Sequence, residues 1–219
     1  RLKEGNLRIK EIAQFIANLA KPNVPGYYAN VASLLLKLYT CNPYMGRSLK
    51  EGKTAPIGQP YPCLYACAQP SVFWSAYTDA LAENGFLGRF LIFNGRPFPR
   101  LDVDTVMSPP PASIVSFIKQ ALPDRTIGDL GGANLESTEA EVSASVLKYL
   151  KERFKKEDDF RQKVYESGDI KLTTLLGRVP ERINKLVLIH AWSIDPFHPV
   201  ITVDGIDWAY RIVKYGTDS

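Results

Sequence analysis

Self-contained catalytic motifs are missing from this chain of 219 residues. The sequence has no GxxxxGK[ST] phosphate-binding loop, no GxGxxG dinucleotide turn, no GxSxG nucleophile elbow and no HExxH zinc motif. Histidine is scarce as well: His190 lies in an apolar stretch and His198 in a Pro-flanked loop, and we interpret both as structural. The sequence therefore predicts no complete active site within the chain.

Cysteine, long apolar runs and excess charge are also in short supply. Cys41, Cys63 and Cys67 form an odd set without a CxxC pair, which argues against a zinc site or a disulfide framework, and the last two are predicted to be buried on a strand. No run approaches the roughly 18 apolar residues of a membrane-spanning helix, so a cytoplasmic protein without membrane contact is expected. The net charge of +4 does not demand a free-standing DNA-binding protein.

The apolar periodicity predicts alternating helices and strands followed by helices alone. Helical spacing covers residues 9–19, 31–39 and 71–81, while strands are predicted at 63–68 and 90–93. Beyond the Pro-rich stretch 101–111, which we interpret as a linker, the pattern is helical at 114–122, from 137 to about 156, at 182–192 and at 206–215. The predicted organisation is thus residues 1–100, linker 101–111, and residues 112–219.

Three polar residues stand at the ends of these apolar segments. Gln69 follows the first strand, Arg89 precedes the second, and Arg178 stands at the head of the apolar helix. Hydrolysis of a nucleoside triphosphate requires positive charge at the γ-phosphate and a polar group that orients water. The same residues have ordinary alternatives, since Gln69 could cap a helix and Arg178 could pair with Glu181.

Sequence segments around these residues resemble a known family. The segments YPCLYACAQPSVFW (61–74) and GFLGRFL (85–91) are similar to those of the phage and prophage primase-helicases, which carry a RecA/AAA+-like P-loop ATPase domain. GFLGRFL also resembles the arginine-finger motif of minichromosome-maintenance helicases. RVPE (178–181), KLVLIHA (185–191) and ITVDGIDWA (201–209) resemble the C-terminal lid of both groups.

The resemblance implies a fold and roles for individual residues. It implies an α/β fold in which residues 1–100 form the C-terminal half of the ATPase core and residues 112–219 a mainly helical lid. Gln69 would sense the γ-phosphate, Arg89 would be the arginine finger, and Arg178 would contact the nucleotide from the lid. Glu11 would belong to an acidic pair associated with magnesium, although Lys10 stands where the family has the second acid.

Partners and cofactors follow from the same resemblance. ATP and Mg²⁺ are expected in the intact parent protein, and neither in this chain alone, because the phosphate-binding loop is absent from it. A ring of identical subunits is expected, with single-stranded DNA as a partner. The Gly- and Pro-rich segment 42–60 carries Arg47, Lys50 and Lys53, which could follow a nucleic-acid backbone as a mobile loop or hairpin, or could simply be solvated.

Two functions are therefore predicted. The first is a fragment of a nucleic-acid-dependent ATPase, a replicative helicase or primase-helicase, to which this chain supplies sensor, finger and lid. The second is a scaffold or nucleic-acid-binding module that has kept the ATPase shape and lost the chemistry. Lys10 in place of an acidic residue favours the second.

Overall fold

The protein is mostly helical. The computed structural model describes residues 6–9, 12–21, 23–40, 44–45, 48–49, 52–53, 57–58, 63–95, 109–121 and 139–218. A 3₁₀ turn, Leu87–Arg89, follows the fourth helix. The α-helices are α1 (Ile12–Leu19), α2 (Gly26–Tyr39), α3 (Pro70–Ala76), α4 (Asp79–Glu83), α5 (Ala112–Ala121), α6 (Ala144–Glu166), α7 (Ile170–Leu176), α8 (Val179–Ile194) and α9 (Val203–Asp218).

The strands are short and pair only two by two among the described residues. β1 (Asn6–Ile9) runs parallel to β6 (Cys63–Ala66), with Asn6 opposite Cys63 and Ile9 opposite Ala66. Two small antiparallel pairs lie between them in the sequence and are nested in the manner of a hairpin. They are β2 (Tyr44–Met45) with β5 (Ile57–Gly58), and β3 (Ser48–Leu49) with β4 (Gly52–Lys53).

The predicted α/β fold is wrong. A RecA/AAA+-like core needs one sheet of several parallel strands, each covered by crossover helices, whereas no described strand of this chain has more than one neighbour. The segment 90–93, predicted to be a strand, forms no described strand. One reason is that the carbonyl group of Phe90 accepts a hydrogen bond from the side chain of Arg182 rather than from a neighbouring strand.

Several boundaries differ from the periodicity for local reasons. Ile9 ends β1 instead of beginning α1. The helix predicted over 71–81 is interrupted at Tyr77 and Thr78, because the Thr78 hydroxyl accepts a hydrogen bond from the Leu81 amide and starts α4. The long helix begins at Ala144 rather than near 137, since the backbone of Glu141 pairs with residues 199–201.

Contacts divide the chain into two compact units. Unit 1 comprises residues 1–91 and 151–182, and unit 2 comprises residues 92–150 and 183–219. The core of unit 1 gathers apolar side chains from α1, α2, α3, α4, the 3₁₀ turn and α7. Its most deeply buried members are Ile16, Leu81, Ala82, Phe86 and Leu87.

Unit 2 buries one stripe of α8 and one of α9. Residues Ile183, Val187 and Ala191 recur at helical spacing on α8, and Ile206, Ala209 and Val213 do so on α9. The Thr202 hydroxyl accepts a hydrogen bond from the Gly205 amide at 3.2 Å and so caps the start of α9. His190 packs against Trp208 at a ring distance of 5.1 Å.

Three further predictions from the sequence concern the cysteines, membrane-spanning helices and the linker. Cys63 and Cys67 are exposed, so their predicted burial is wrong. None of the described helices is both long and apolar enough to cross a membrane. The predicted linker 101–111 falls mostly outside the described residues, as only 109–111 belong to them.

The buried Tyr77 predicts alkaline destabilisation. Burial, with Asp169 and Asp79 adding to it, raises the pKa of Tyr77 from 10.0 to about 12. The folded state therefore holds the phenol proton more tightly than the unfolded state. Stability from this group is fully present below pH 10 and is lost as the pH rises to about 12, by roughly 2 to 3 kcal/mol in total.

Urea unfolding between about pH 9 and about pH 11.5 checks this expectation. The loss of stability with pH should be smaller in Tyr77→Phe than in the wild type, whereas Tyr27→Phe, at an exposed tyrosine, should match the wild type. Equal losses in Tyr77→Phe and the wild type would contradict it.

Gly216 of α9 has no space for a side chain on the side that faces Ile92 in unit 2. A Cβ atom at this position would lie 2.8 Å from the Ile92 carbonyl oxygen, so Gly216→Ala should displace backbone and destabilise by about 1 to 3 kcal/mol. Gly26→Ala, also in a helix but with open space around the new methyl group, should be neutral or slightly stabilising. Thermal unfolding of both variants measures the effect. An unfolding temperature of Gly216→Ala equal to that of the wild type would contradict it, because the Ile92 backbone would then have moved without a cost in stability.

Candidate functional site: an arginine cluster

Arg89 is held on a short, tightly turned segment of unit 1. After α4 the chain turns at Gly85, whose φ of 68° is the left-handed conformation that glycine adopts most readily. Phe86 and Leu87 then anchor the 3₁₀ turn in the core. The guanidinium of Arg89 reaches back and donates a hydrogen bond to the Gly85 carbonyl oxygen at 2.6 Å. The side chain is thus tied to the turn that presents it.

Arg178 stands in the junction between α7 and α8. Asp169 caps the start of α7, Gly177 follows its end, and Pro180 occupies the first turn of α8. The Nη1 atom of Arg178 lies 3.1 Å from Oε2 of Glu181, so the ordinary alternative of a local ion pair is observed. Both side chains remain accessible, at 40% and 34% exposure respectively.

The 3₁₀ turn and the α7–α8 junction lie against each other. A Cβ atom added at Gly88 would be 3.3 Å from Cγ of Arg178 and 3.4 Å from the Thr174 carbonyl oxygen. Glycine at position 88 therefore lets the stem of Arg178 approach the backbone next to Arg89. The structure brings together these two predicted arginines, although 89 positions of the sequence separate them.

Arg182 joins the two segments from below the surface. Its side chain is only 4% exposed. It donates from Nη1 to the Phe90 carbonyl oxygen at 3.1 Å and from Nη2 to the Leu175 carbonyl oxygen at 2.9 Å. Burial lowers the pKa of Arg182, but a guanidinium stays charged at neutral pH. The residue following Arg89 and the end of α7 are therefore fastened to one cation.

Tyr39, the last residue of α2, completes the cluster. The Arg89 guanidinium carbon lies 5.6 Å from the centroid of its ring, a distance suited to a cation–π interaction. Burial raises the pKa of Tyr39, and the Glu181 carboxylate raises it further. Arg182, Arg178 and Arg89 lower the pKa of Tyr39, so all four charged side chains interact with its phenol group.

The electrostatics of the cluster suit an anion. Burial lowers the pKa of Arg89, and the neighbouring Arg178 lowers it further, while Glu181 and Tyr39 oppose this. Three guanidinium groups and one carboxylate leave an excess of positive charge. Like charges held close together repel each other, and a phosphate group placed between Arg89 and Arg178 would relieve that repulsion. Guanidinium forks match phosphate oxygens in geometry as well as charge.

The remaining predicted site residues do not join this cluster or cannot be placed. Gln69 is exposed at the N-cap position of α3, and its side chain makes no capping hydrogen bond. Glu11, Arg47 and Lys50 lie outside the described residues. Lys53 belongs to β4, paired with Ser48, and only its backbone is described. Their predicted roles stay predictions.

Arg182 and Tyr39 were not singled out from the sequence. Arg182 marked only the beginning of a predicted helix, and Tyr39 only the end of another. The available signal was an arginine directly before an apolar helical run, where burial of its charge needs partners. Those partners are backbone carbonyl groups, which carry no mark in a sequence.

ATP and Mg²⁺, the cofactors expected in the parent protein, require cations and carboxylates respectively. Arg89 and Arg178 are two cations on neighbouring segments, and the pKa of Arg89 is lowered by burial and then by Arg178. For magnesium, the predicted carboxylate of Glu11 is not among the described residues. Within the part of the chain that the structure describes, no group of three or more His, Cys, Asp or Glu side chains is arranged to hold a metal ion.

Replacement of Arg182 should loosen the frame of the cluster. Arg182→Met keeps the side-chain bulk but removes both hydrogen bonds to buried carbonyl groups, so we expect a loss of about 2 kcal/mol in the free energy of unfolding. Arg161→Met is the matched control, because it removes an exposed arginine whose ion pair with Asp158 is worth less than about 1 kcal/mol. Urea unfolding followed by circular dichroism measures both. Equal stability of Arg182→Met and the wild type would contradict the fastening role.

Comparison with protein families and with curated proteins found no match to this chain: no protein-family model matches it, and no curated protein matches it in sequence.

Proposed function

We propose that this chain supplies arginines to the triphosphate of a nucleotide bound on a neighbouring subunit, within a nucleic-acid-dependent ATPase of the replicative helicase or primase-helicase kind. Arg89 is the finger that meets the γ-phosphate. Arg178 is the second cation on the same phosphate groups. The proposal does not rest on an α/β core in this chain.

The approach of Arg89 to Arg178 is the observation that carries the proposal. Two cations on separate segments are brought side by side by a glycine without a side chain at position 88 and by a buried guanidinium at position 182. Glu181 offsets part of this charge, but the cluster holds more cations than carboxylates. Phosphoryl transfer requires positive charge where charge develops on the γ-phosphate.

The sequence of this chain has no phosphate-binding loop, so we place the nucleotide on another segment or subunit. This chain can contribute cations to a nucleotide but lacks the loop that cradles its phosphate groups. The nucleotide is therefore held by another segment or subunit. In the ring predicted from the sequence, Arg89 would complete the site of the next subunit, so ATP turnover would depend on assembly.

The hairpin strands β2 to β5 are proposed to contact single-stranded DNA. Lys53 belongs to β4, Arg47 and Lys50 fall between these strands in the sequence, and several cations in one such segment can follow a phosphate backbone. The described backbone pairing supports a hairpin in this segment. Nucleotide-dependent contacts between subunits would then move the hairpin along the strand.

The scaffold module is the second candidate, and one observation favours it. Arg178 is paired with Glu181 in the structure, as expected of a residue that serves only local stability. In that case the cluster would retain its shape without a nucleotide to act on. Measurement of turnover separates the two candidates.

The effect of Arg89 on turnover tests the proposal. In the assembled ATPase that contains this chain, Arg89→Ala should lower the kcat of DNA-stimulated ATP hydrolysis by about a thousandfold or more, since an arginine finger contributes on that order. Arg89→Lys should restore little, because an ammonium group lacks the planar fork. Arg161→Ala, at an exposed arginine paired with Asp158, should retain full activity.

Size-exclusion chromatography must show the same assembly state for all three variants, so that a lost subunit contact is not mistaken for lost chemistry. An Arg89→Ala variant that assembles and hydrolyses ATP at the wild-type rate would refute the finger role. An unsubstituted assembly without turnover would leave the scaffold candidate.

A further inference from the structure

Glu181 brings a negative charge into a cluster that otherwise suits anions. It lies in the first turn of α8, one helical turn from Arg178, and its Oε2 atom is 3.1 Å from Nη1 of Arg178. Its charge reaches further than this pair: burial and Arg178 lower the pKa of Arg89, and Glu181 opposes that lowering, while burial raises the pKa of Tyr39 and Glu181 adds to it. The carboxylate therefore acts on the same guanidinium groups that the proposed function assigns to phosphate.

A carboxylate and a phosphate compete for a guanidinium on equal geometric terms. Both present two oxygen atoms to the N–H fork, and the Nη1 atom that faces Glu181 is no longer available to a phosphate oxygen. The side chains of Arg178 and Glu181 are 40% and 34% exposed, respectively. Solvent and ligand can thus reach the pair, and an accessible ion pair of this kind contributes little to stability.

The weakness of the pair decides which anions can break it. A singly charged anion offers Arg178 no more charge than Glu181 already does. A polyphosphate carries several charges and can bridge Arg89 and Arg178, so it gains two cations while Glu181 loses one. Displacement therefore favours polyphosphates over small anions.

We propose that Glu181 is an internal competitor for the phosphate site, occupying Arg178 until a polyphosphate group displaces it. This inference rests on the proposed function, since it needs the arginine pair to bind phosphate. Its consequence is selectivity: the cluster stays closed to small anions and opens for a nucleotide presented by another subunit.

Tripolyphosphate binding to the chain, measured by isothermal titration calorimetry at low salt, tests the proposal. Glu181→Gln keeps the shape of the side chain and removes its charge, so it should bind tripolyphosphate about threefold to tenfold more tightly than the wild type. Glu181→Ala should also bind more tightly. A purely structural role predicts the opposite sign, because damage to the fold weakens binding.

Two further variants locate the effect. Glu152→Gln removes the same charge from an exposed position on α6 and should change the affinity little, which separates local competition from net charge. The double variant Glu181→Gln/Arg178→Ala should bind tripolyphosphate no more tightly than Arg178→Ala, because the guanidinium that Glu181→Gln would release is absent from both. Circular dichroism and thermal unfolding establish that each variant is folded.

The outcomes separate the two proposals. If Arg89→Ala and Arg178→Ala weaken binding but Glu181→Gln and Glu181→Ala do not strengthen it, the competitor role is overturned and the phosphate site remains. If neither arginine affects tripolyphosphate binding, both proposals are overturned. A gain in Glu181→Gln that persists without Arg178 also overturns the competitor role.

Discussion

The guanidinium of Arg182 carries a positive charge into a part of unit 1 where its side chain is almost inaccessible to water. Removal of a charge from water is costly unless strong hydrogen bonds replace those to solvent. The carbonyl groups of Phe90 and Leu175 supply them. Leu175 lies in the last turn of α7, where the helix dipole favours a cation, and its carbonyl oxygen also accepts a hydrogen bond from the Arg178 amide at 3.3 Å. The placement of Arg89 and Arg178 depends on this arrangement, because each stands next to a segment that Arg182 fastens.

The cluster consequently has a rigid side and a responsive side. Arg182, Gly88 and the buried Phe86 fix the backbone. Above them, Arg89 rests on the Tyr39 ring, and Arg178 is paired with Glu181 at a distance typical of an exposed ion pair. Such contacts can be exchanged at low free-energy cost. The anion that we propose for this cluster would therefore bind without movement of the frame, which limits the entropy that binding must offset.

Sequence reasoning found the tips of this cluster but neither its frame nor the fold. Arg89 and Arg178 could be singled out because short motifs surround them, and most helices because apolar residues recur at their spacing. The run from Phe90 to Phe93 has the composition of a strand, yet burial of Phe86 and Leu87 winds the preceding chain into a 3₁₀ turn and Arg182 takes the Phe90 carbonyl group. Cys63 was expected in a core because its strand is apolar, but it lies on the exposed face of a strand that has one described neighbour. Both errors concern contacts between distant segments, which local periodicity does not contain.

The hydrogen bond from Arg182 to Phe90 spans 92 positions of the chain, and this separation affects synthesis. During translation Phe90 leaves the ribosome long before Arg182 does, by roughly 5 to 20 s at ordinary elongation rates. For that interval the carbonyl group of Phe90 has no partner in the nascent chain's own C-terminal half, and the segment around Arg89 can sample other conformations, including the strand that its composition favours. The arginine cluster then forms only after Arg182 is synthesised, and until that time the core of unit 1 can draw on α1 to α4 and the 3₁₀ turn but not on α7.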